Sequence, residues 1–267
     1  MANPKKSYFI SPPDVTLPGY SYYQGCATYT KYNYTQKGIA SRLRRRHFVH
    51  ALQLAERVLR RRKDTFQDLN AIDFGCADGS FLPTLSRYFG HVAGIDMDPQ
   101  FVQIAVRVIE VGALGNVRVI CNHDLTTAEI SSQLGSRPFH VLFLLEVVEH
   151  VGNKSDPWNS RVDFVRSLFD LLGEGGIIVV SVPVMTGVRF LLQRFGLTVF
   201  GAGREPLSFI DLLKASLLND TSRLEEGWCH GHLGFNHRKL ERQMKRDLRL
   251  LARQTTPFQA IYVLQRK

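Results

Sequence analysis

Carboxylates and very small residues alternate in the segment 73–80, which reads DFGCADGS. Residues with little or no side chain let the backbone turn tightly and point its amides at a ligand. A dinucleotide-binding loop would need glycine at 75, 77 and 80, whereas the chain has Gly75, Ala77 and Ser80 there. The acidic Asp73 would also repel a pyrophosphate group. The segment therefore predicts a site for a ligand that carries a cationic amino group.

Three further polar segments follow later apolar runs. Residues 94–98 read GIDMD, 122–124 read NHD, and 146–150 read EVVEH. An acidic side chain such as Asp96, placed after a second strand, accepts hydrogen bonds from ribose hydroxyls in doubly wound folds. Segment 122–124 would be placed to reach the edge of an adenine. Because such folds bind ligands at the carboxyl ends of their strands, we expect all four segments at one edge of a sheet.

The elements predicted around these segments alternate between strand and helix. Unbroken apolar strands between helices indicate a parallel sheet covered on both faces, and the right-handed crossover rule makes it doubly wound. We therefore predict an α/β fold: a Rossmann-like, mostly parallel, seven-stranded sheet with helices on both faces. The predicted strands are 69–74, 91–96, 116–121, 140–145, 176–182, 248–252 and 259–265, and the predicted helices are 38–63, 79–89, 99–111, 159–172 and 237–247.

The pattern divides the chain into four predicted parts. Residues 1–63 form an N-terminal arm, rich in tyrosine, and a helix; 64–182 form the core; 183–236 form an inserted lid on the substrate side; 237–267 form a C-terminal helix and closing strands of the core. Within the lid, residues 187–200 carry apolar side chains on one helical stripe. Such a segment lies on a membrane surface, closes over an apolar substrate, or packs on its own domain.

Composition narrows the class of protein. The 267 residues are 44% apolar and 22% charged, which excludes a collagen-like, mucin-like or largely disordered chain. No apolar run reaches the roughly 18 residues of a membrane-spanning helix, and we expect no secretory signal. Four cysteines without a Cys-x-x-Cys pair predict reduced thiols and a cytoplasmic protein.

The charge is uneven. The net charge is +10, and the segments 42–63 and 237–267 each contain nine Arg or Lys residues. Such basic ends favour RNA, anionic lipid or an acidic substrate, or they form solvated helix faces.

The order of the motifs resembles the class I S-adenosylmethionine-dependent methyltransferases of the small-molecule type, which belong to the Rossmann-like superfamily. The resemblance covers about residues 69–182 and depends on Asp-x-Gly-x-Ala-x-Gly at 73–79, Gly-Ile-Asp at 94–96, the acid at 124, and Glu-x-x-Glu-His at 146–150. The central residue of the first motif is glycine in the family and alanine here. The resemblance implies S-adenosyl-L-methionine as the cofactor and methyl transfer as the activity.

The resemblance also implies which residues bind the methionine and ribose parts of the cofactor. Gly75, Ala77 and Gly79 would wrap the methionine part, with Asp73 near its amino group. Asp96 would bind the ribose hydroxyls. The alternative for both carboxylates is that they only cap helices or turns.

Five more residues would complete the cofactor site. Met97 would pack near the adenine, with filling of the core as the alternative. Asp124 would accept a hydrogen bond from the adenine amino group beside Asn122 or His123, or would instead cap the next helix. Glu146 would lie under the sulfonium.

Three histidines are candidates for removing a proton from the acceptor. His150 follows the fourth strand at the expected mouth of the site, and His230 and His232 would enter from the lid. Structural roles are the alternative for all three. Cys229 and His237 lie near them in sequence, but the spacing is no familiar metal motif, so we predict no metal.

The sequence therefore predicts a methyltransferase that acts on an oxygen, nitrogen or carbon nucleophile of a small or lipid-like acceptor. An RNA methyltransferase is one alternative, although the chain has no recognised RNA-binding module. A non-catalytic S-adenosylmethionine-binding protein is another, and the missing third glycine disfavours a nicotinamide dehydrogenase. We also expect weak contact of residues 187–200 with a membrane surface, and we predict no oligomeric state.

Overall fold

The computed structural model describes residues 8–23, 26–62, 64–123, 125–153, 155–199, 208–226 and 234–267. Its strands form one seven-stranded sheet with the order β3-β2-β1-β4-β5-β7-β6. They are β1 (Asn70–Phe74), β2 (His91–Asp96), β3 (Val117–Cys121), β4 (Val141–Leu145), β5 (Ile177–Pro183), β6 (Leu248–Thr255) and β7 (Gln259–Arg266). β1 pairs in parallel with both β2 and β4, and the strand order reverses between β1 and β4. The predicted doubly wound, mostly parallel sheet is therefore confirmed.

The α-helices in the described part of the chain alternate with the first five strands and fill most of the segment between β5 and β6. They are α1 (Ile39–Arg61), α2 (Leu82–Tyr88), α3 (Pro99–Val111), α4 (Thr127–Leu134), α5 (Pro157–Ser167), α6 (Val188–Val199), α7 (Phe209–Leu213), α8 (Ser222–Glu226) and α9 (His237–Asp247). The chain forms two compact units, Met1–Leu145 with Ser167–Val179, and Glu146–Arg166 with Val180–Lys267.

In the first unit, α1 buries a stripe of apolar residues that recur every three or four positions, consisting of Phe48, Ala51, Leu52, Ala55, Val58 and Leu59. The rings of Phe48 and Phe81 stack with centroids 4.6 Å apart. The tyrosine-rich arm packs on the same cluster, because Tyr34 is buried and its ring lies 5.0 Å from that of Phe48. Burial of each large apolar side chain contributes about 1.5–3 kcal/mol, so this cluster stabilises the arm as well as α1.

Three helices, α2, α4 and α5, differ from the sequence prediction. α2 begins at Leu82 rather than at residue 79, because residues 79–81 still belong to the turn after β1. α5 ends at Ser167 and continues as a 3-10 turn. α4 is absent from the predicted elements, and it begins with a capping box in which Thr126 and Glu129 satisfy each other's backbone amides.

In the second unit, the two predicted closing strands, β6 and β7, pair in antiparallel orientation. The predicted strand at 248–252 extends to Thr255, and a bulge lies between Leu250 and Ala252. The described residues of 184–236 contain three helices and one π-helical turn but no strand. None of the described helices combines the length and the apolar character that a membrane span requires.

Candidate cofactor site

The turn after β1 is built around three residues in the left-handed region. Gly75, Ala77 and Gly79 have φ angles of 79°, 46° and 84°, which residues with a side chain disfavour. The Gly75 amide donates to the carbonyl of Ile95 in β2 at 2.7 Å. A Cβ atom on Gly79 would lie only 3.3 Å from Ala105 of α3. The small residues predicted from the sequence therefore form the turn and let it lie against α3.

Asp96, the last residue of β2, fixes this turn. Its Oδ2 atom accepts a hydrogen bond from the Ala77 amide at 2.7 Å, and its Oδ1 atom accepts one from the Asp98 amide at 3.0 Å. Burial raises the pKa of Asp96 even though these hydrogen bonds favour the carboxylate. Each carboxylate oxygen has two lone pairs. Both oxygens are therefore held rigidly and keep the capacity to accept a ligand hydroxyl.

Asp73 is a buried carboxylate inside β1. It is 4% exposed, and no donor in the described part of the chain forms a hydrogen bond with its carboxylate. Burial, assisted by the negative charge of Asp96, raises the pKa of Asp73 to about 8. A buried charge is costly unless it is paired. The side chain is therefore suited to a cationic group that comes from outside the chain.

Asp78, in the same turn, contacts the N-terminal arm. The amide of Thr30 donates to its Oδ2 atom and the hydroxyl of Thr30 to its Oδ1 atom, both at 2.6 Å, while the Ser80 hydroxyl lies 3.1 Å from Oδ1. All three residues are buried. Sequence reasoning does not find this contact, because no local pattern joins residues that are 48 positions apart.

The predicted adenine-side residues have mixed environments. Met97 is 64% exposed, so the alternative that it fills the core is wrong. The Oδ1 atom of Asn122 is buried and has no hydrogen-bond partner among the described residues, so an amino group of a ligand would satisfy it. His123 is exposed. Asp124 lies outside the described residues, and Thr126 is the residue that caps α4.

Glu146 belongs to the second unit and has a strained backbone. Its φ angle is 58° although it is not glycine, and such strain is concentrated at functional sites. Its amide donates to the carbonyl of Ser181 at 3.0 Å, and its Oε1 atom accepts from the Ser181 hydroxyl at 2.9 Å. Burial raises the pKa of Glu146 to about 7. The carboxyl group is therefore well fixed, and burial makes it hold its proton to a higher pH than an exposed glutamate does.

Of the candidate histidines, the structure describes His150 alone; His230 and His232 lie outside the described residues. His150 ends a 3-10 turn, is partly exposed, and has its Nε2 atom 4.0 Å from the buried Glu149. His237 is buried beside the Thr186 hydroxyl, and burial lowers its pKa to about 4. No group of three potential metal ligands occurs within the described ranges.

Comparisons with known proteins identify a family that covers most of the chain. Residues 44–246 match a family described as a methyltransferase domain. A ubiquinone biosynthesis O-methyltransferase of Colwellia psychrerythraea is 29% identical over 120 residues, which are 45% of this chain and 44% of that protein. A mitochondrial protein of the same name from Arabidopsis thaliana is 29% identical over 138 residues, 51% of this chain and 38% of that protein. The chain therefore spans about half the length of these relatives or less.

A solved structure shows the same fold. The PH0226 protein of Pyrococcus horikoshii has a TM-score of 0.56 at 15% sequence identity, over 88% of this chain and 95% of that chain.

Proposed function

The chain belongs to the methyltransferase-domain family, and we propose that it binds S-adenosyl-L-methionine at the turn after β1 and methylates a small or lipid-like acceptor. One observation carries the proposal. Asp73 is a buried carboxylate without a donor in the described part of the chain. It lies two residues before Gly75, where a turn made of small residues begins, and the cofactor's ammonium group would supply the missing partner.

The other residues have roles that follow from their positions. Gly75, Ala77 and Gly79 let the backbone approach the methionine part, and Asp96 accepts from the ribose hydroxyls. Met97, Asn122, His123 and Asp124 are proposed to contact the adenine, and Glu146 to face the sulfonium end. When bound, the cofactor supplies a methyl group that its sulfonium already activates. The tasks of the chain are therefore orientation of the two reactants and removal of a proton from the acceptor.

A hydroxyl on a lipid-like molecule is the acceptor that the relatives favour. The matched relatives are named as O-methyltransferases of ubiquinone biosynthesis. α6 adds a second observation, because Val188, Leu192 and Phe195 are 58%, 66% and 69% exposed. These residues share one face of the helix by their spacing. We propose that this face makes weak contact with a membrane surface or with the acceptor itself.

The acceptor proton is proposed to leave to a histidine: His150, His230 or His232. Alanine substitution of the residue that acts as the base should lower kcat about 10²–10⁴-fold and leave the affinity for S-adenosylhomocysteine unchanged. If kcat of all three variants equals that of the wild type, no histidine in this set is the base.

Calorimetric titration is the first test of the cofactor assignment. S-adenosylhomocysteine, which has the same amino, ribose and adenine groups, should bind, and NADH should not. Asp73→Asn should weaken the binding, whereas the exposed Asp163→Asn should not. Binding of NADH instead would contradict the proposal.

Transfer of a labelled methyl group into a metabolite extract then tests the reaction. Label in the small-molecule or lipid fraction supports the proposed acceptor, and label in RNA supports the alternative. Cofactor binding with no labelled fraction supports a non-catalytic protein. A cytoplasmic location stays a prediction, which fractionation of cells would test.

A further inference from the structure

A cleft in the second unit is strongly basic. It has a volume of about 800 Å³ and lies where α6, α9 and β6 meet. Among its described lining residues there is one carboxylate, Glu241. Its cationic lining residues are Arg189, Arg238, Arg242, Lys245 and Arg253.

The single carboxylate is already paired. The Oε1 atom of Glu241 lies 2.5 Å from the Lys245 ammonium and 3.0 Å from the Arg253 guanidinium. Arg189 donates to the backbone carbonyl of Thr255. Arg238 and Arg242 have no acidic partner among the described residues, and both residues line the cleft. Three of the five cationic residues, Arg189, Arg238 and Arg242, therefore lie outside the ion pairs of the cleft, and two of them, Arg238 and Arg242, keep their donors for a ligand.

The placement of these cations opposes helix stability. Arg238, Arg242 and Lys245 occupy positions i, i+4 and i+7 of α9, so like charges face each other along one side. Arg238 also lies in the first turn, where the helix dipole is positive. An anion in the cleft would offset both repulsions.

The arginine side chains, rather than the helix amides, are the groups left to bind such an anion. The amides of Arg238 and Lys239 both donate to the Asn236 side chain at 3.1 Å, so the N-terminus of α9 is already capped. Gly187 has a φ angle of 82°, and a Cβ atom there would lie 3.3 Å from the Arg238 guanidinium. Glycine at this position therefore leaves room for the arginine at the cleft wall.

We propose that this cleft binds a phosphate-bearing ligand, with Arg238 and Arg242 donating to its phosphate oxygens. Planar guanidinium groups donate in pairs to phosphate, which an isolated ammonium cannot match. The volume exceeds that of free phosphate, so the ligand is an organic phosphate or a phospholipid headgroup. None of these residues belongs to the proposed cofactor site, so the inference does not depend on the proposed function.

The first arm of the test is calorimetric titration of the full chain with pyrophosphate at fixed ionic strength. The Arg238→Gln/Arg242→Gln variant should bind at least tenfold more weakly than the wild type. Arg246→Gln is the matched control, because Arg246 lies on the same helix, is exposed and does not line the cleft. Its affinity should stay within twofold. An unchanged thermal unfolding temperature verifies that each variant is folded.

The second arm separates the two sources of phosphate. Vesicles of phosphatidylcholine with and without phosphatidylglycerol are sedimented with each variant. A headgroup site is identified if the wild type binds the phosphatidylglycerol vesicles, the Arg238→Gln/Arg242→Gln variant does not, and pyrophosphate displaces the bound vesicles. Pyrophosphate binding without vesicle binding identifies a soluble phosphate.

Three results would overturn the proposal. One is no saturable binding of either probe by the wild type. Another is an equal loss of affinity in Arg246→Gln, which would indicate unspecific attraction by the net charge. The third is binding of an RNA oligonucleotide that needs the two arginines while pyrophosphate does not bind.

Discussion

Thr30 donates to both carboxylate oxygens of Asp78, through its amide at Oδ2 and through its hydroxyl at Oδ1, each at 2.6 Å. Thr30 belongs to the N-terminal arm and Asp78 to the turn after β1. Hydrogen bonds to an ionised acceptor are shorter and stronger than neutral ones. The arm therefore supports the turn that is proposed to hold the cofactor.

Thr30→Val tests this support. The change keeps the volume of the side chain and leaves Asp78 with one buried donor fewer, so the free energy of unfolding should fall by about 1–3 kcal/mol. We expect the affinity for S-adenosylhomocysteine to fall severalfold. Urea denaturation and calorimetry measure the two effects. Thr35→Val, on an exposed arm residue, should stay within about 0.5 kcal/mol; equal losses in both variants would show that the contact with Asp78 does not matter.

Asp73 should make stability depend on pH. The pKa of Asp73 is about 8 in the folded chain and about 3.9 in an unfolded one. Between these two pH values, the carboxyl group of Asp73 is protonated in the folded chain and ionised in the unfolded chain. The contribution of Asp73 to stability is full below about pH 4 and is lost as the pH rises through 8.

Asp73→Asn removes this dependence. At pH 8.5, the variant without cofactor should unfold at a higher temperature than the wild type, by about 2–4 °C for each 1 kcal/mol gained. Its affinity for S-adenosylhomocysteine should fall. In the wild type, that affinity should rise from pH 6.5 to 8.5, because the ammonium group needs the ionised carboxylate. A pH-independent affinity would remove Asp73 from the site.

Asp96→Ala should weaken binding of S-adenosylhomocysteine by about 1–3 kcal/mol, because it removes the proposed charge-assisted hydrogen bonds to the ribose together with the acceptor that holds the Ala77 amide. Asp98→Ala is the control: Asp98 accepts from the Gln100 amide at the start of α3. Loss of this cap should lower the free energy of unfolding by about 0.5–2 kcal/mol without changing the affinity. Unchanged affinity of a folded Asp96→Ala protein would contradict the ribose assignment.

Ala77 tests the left-handed turn. At its φ of 46°, replacement by glycine relieves steric strain of about 1–2 kcal/mol. Glycine also lowers the free energy of unfolding by roughly 0.4–1 kcal/mol, because it gives the unfolded chain more conformations. Ala77→Gly should therefore leave stability unchanged or slightly higher. Ala77→Val should lower both stability and cofactor affinity, because a branched side chain is a genuine outlier there. Thermal unfolding with and without S-adenosylhomocysteine distinguishes the cases; a stable valine variant with normal affinity would show that the turn adapts.

Local patterns predict much of this fold. The alternation of apolar strands and amphipathic helices gives the bounds of β2, α3 and α9 to the residue. The motifs at the carboxyl ends of β1 and β2 predict Asp73 and Asp96 as site residues, because period and spacing are properties of neighbouring residues.

Contacts between residues that are distant in the sequence could not be predicted. Three features depend on which distant residues meet in space. They are the burial that raises the pKa of Asp73, the pairing of Thr30 with Asp78, and the position of the Arg238 guanidinium beside Gly187. A single sequence contains no signal for such contacts between distant residues.

α4 is missed for a local reason, because its capping box is followed by only a short apolar pattern.

The lone carboxylate in β1 also has a consequence for the amount of protein in a cell. A chain that binds a ligand only when folded unfolds more readily when that ligand is scarce, and unfolded chains are degraded. Its half-life should therefore follow the supply of methionine: starvation would deplete the protein, and replenishment would restore it without new transcription.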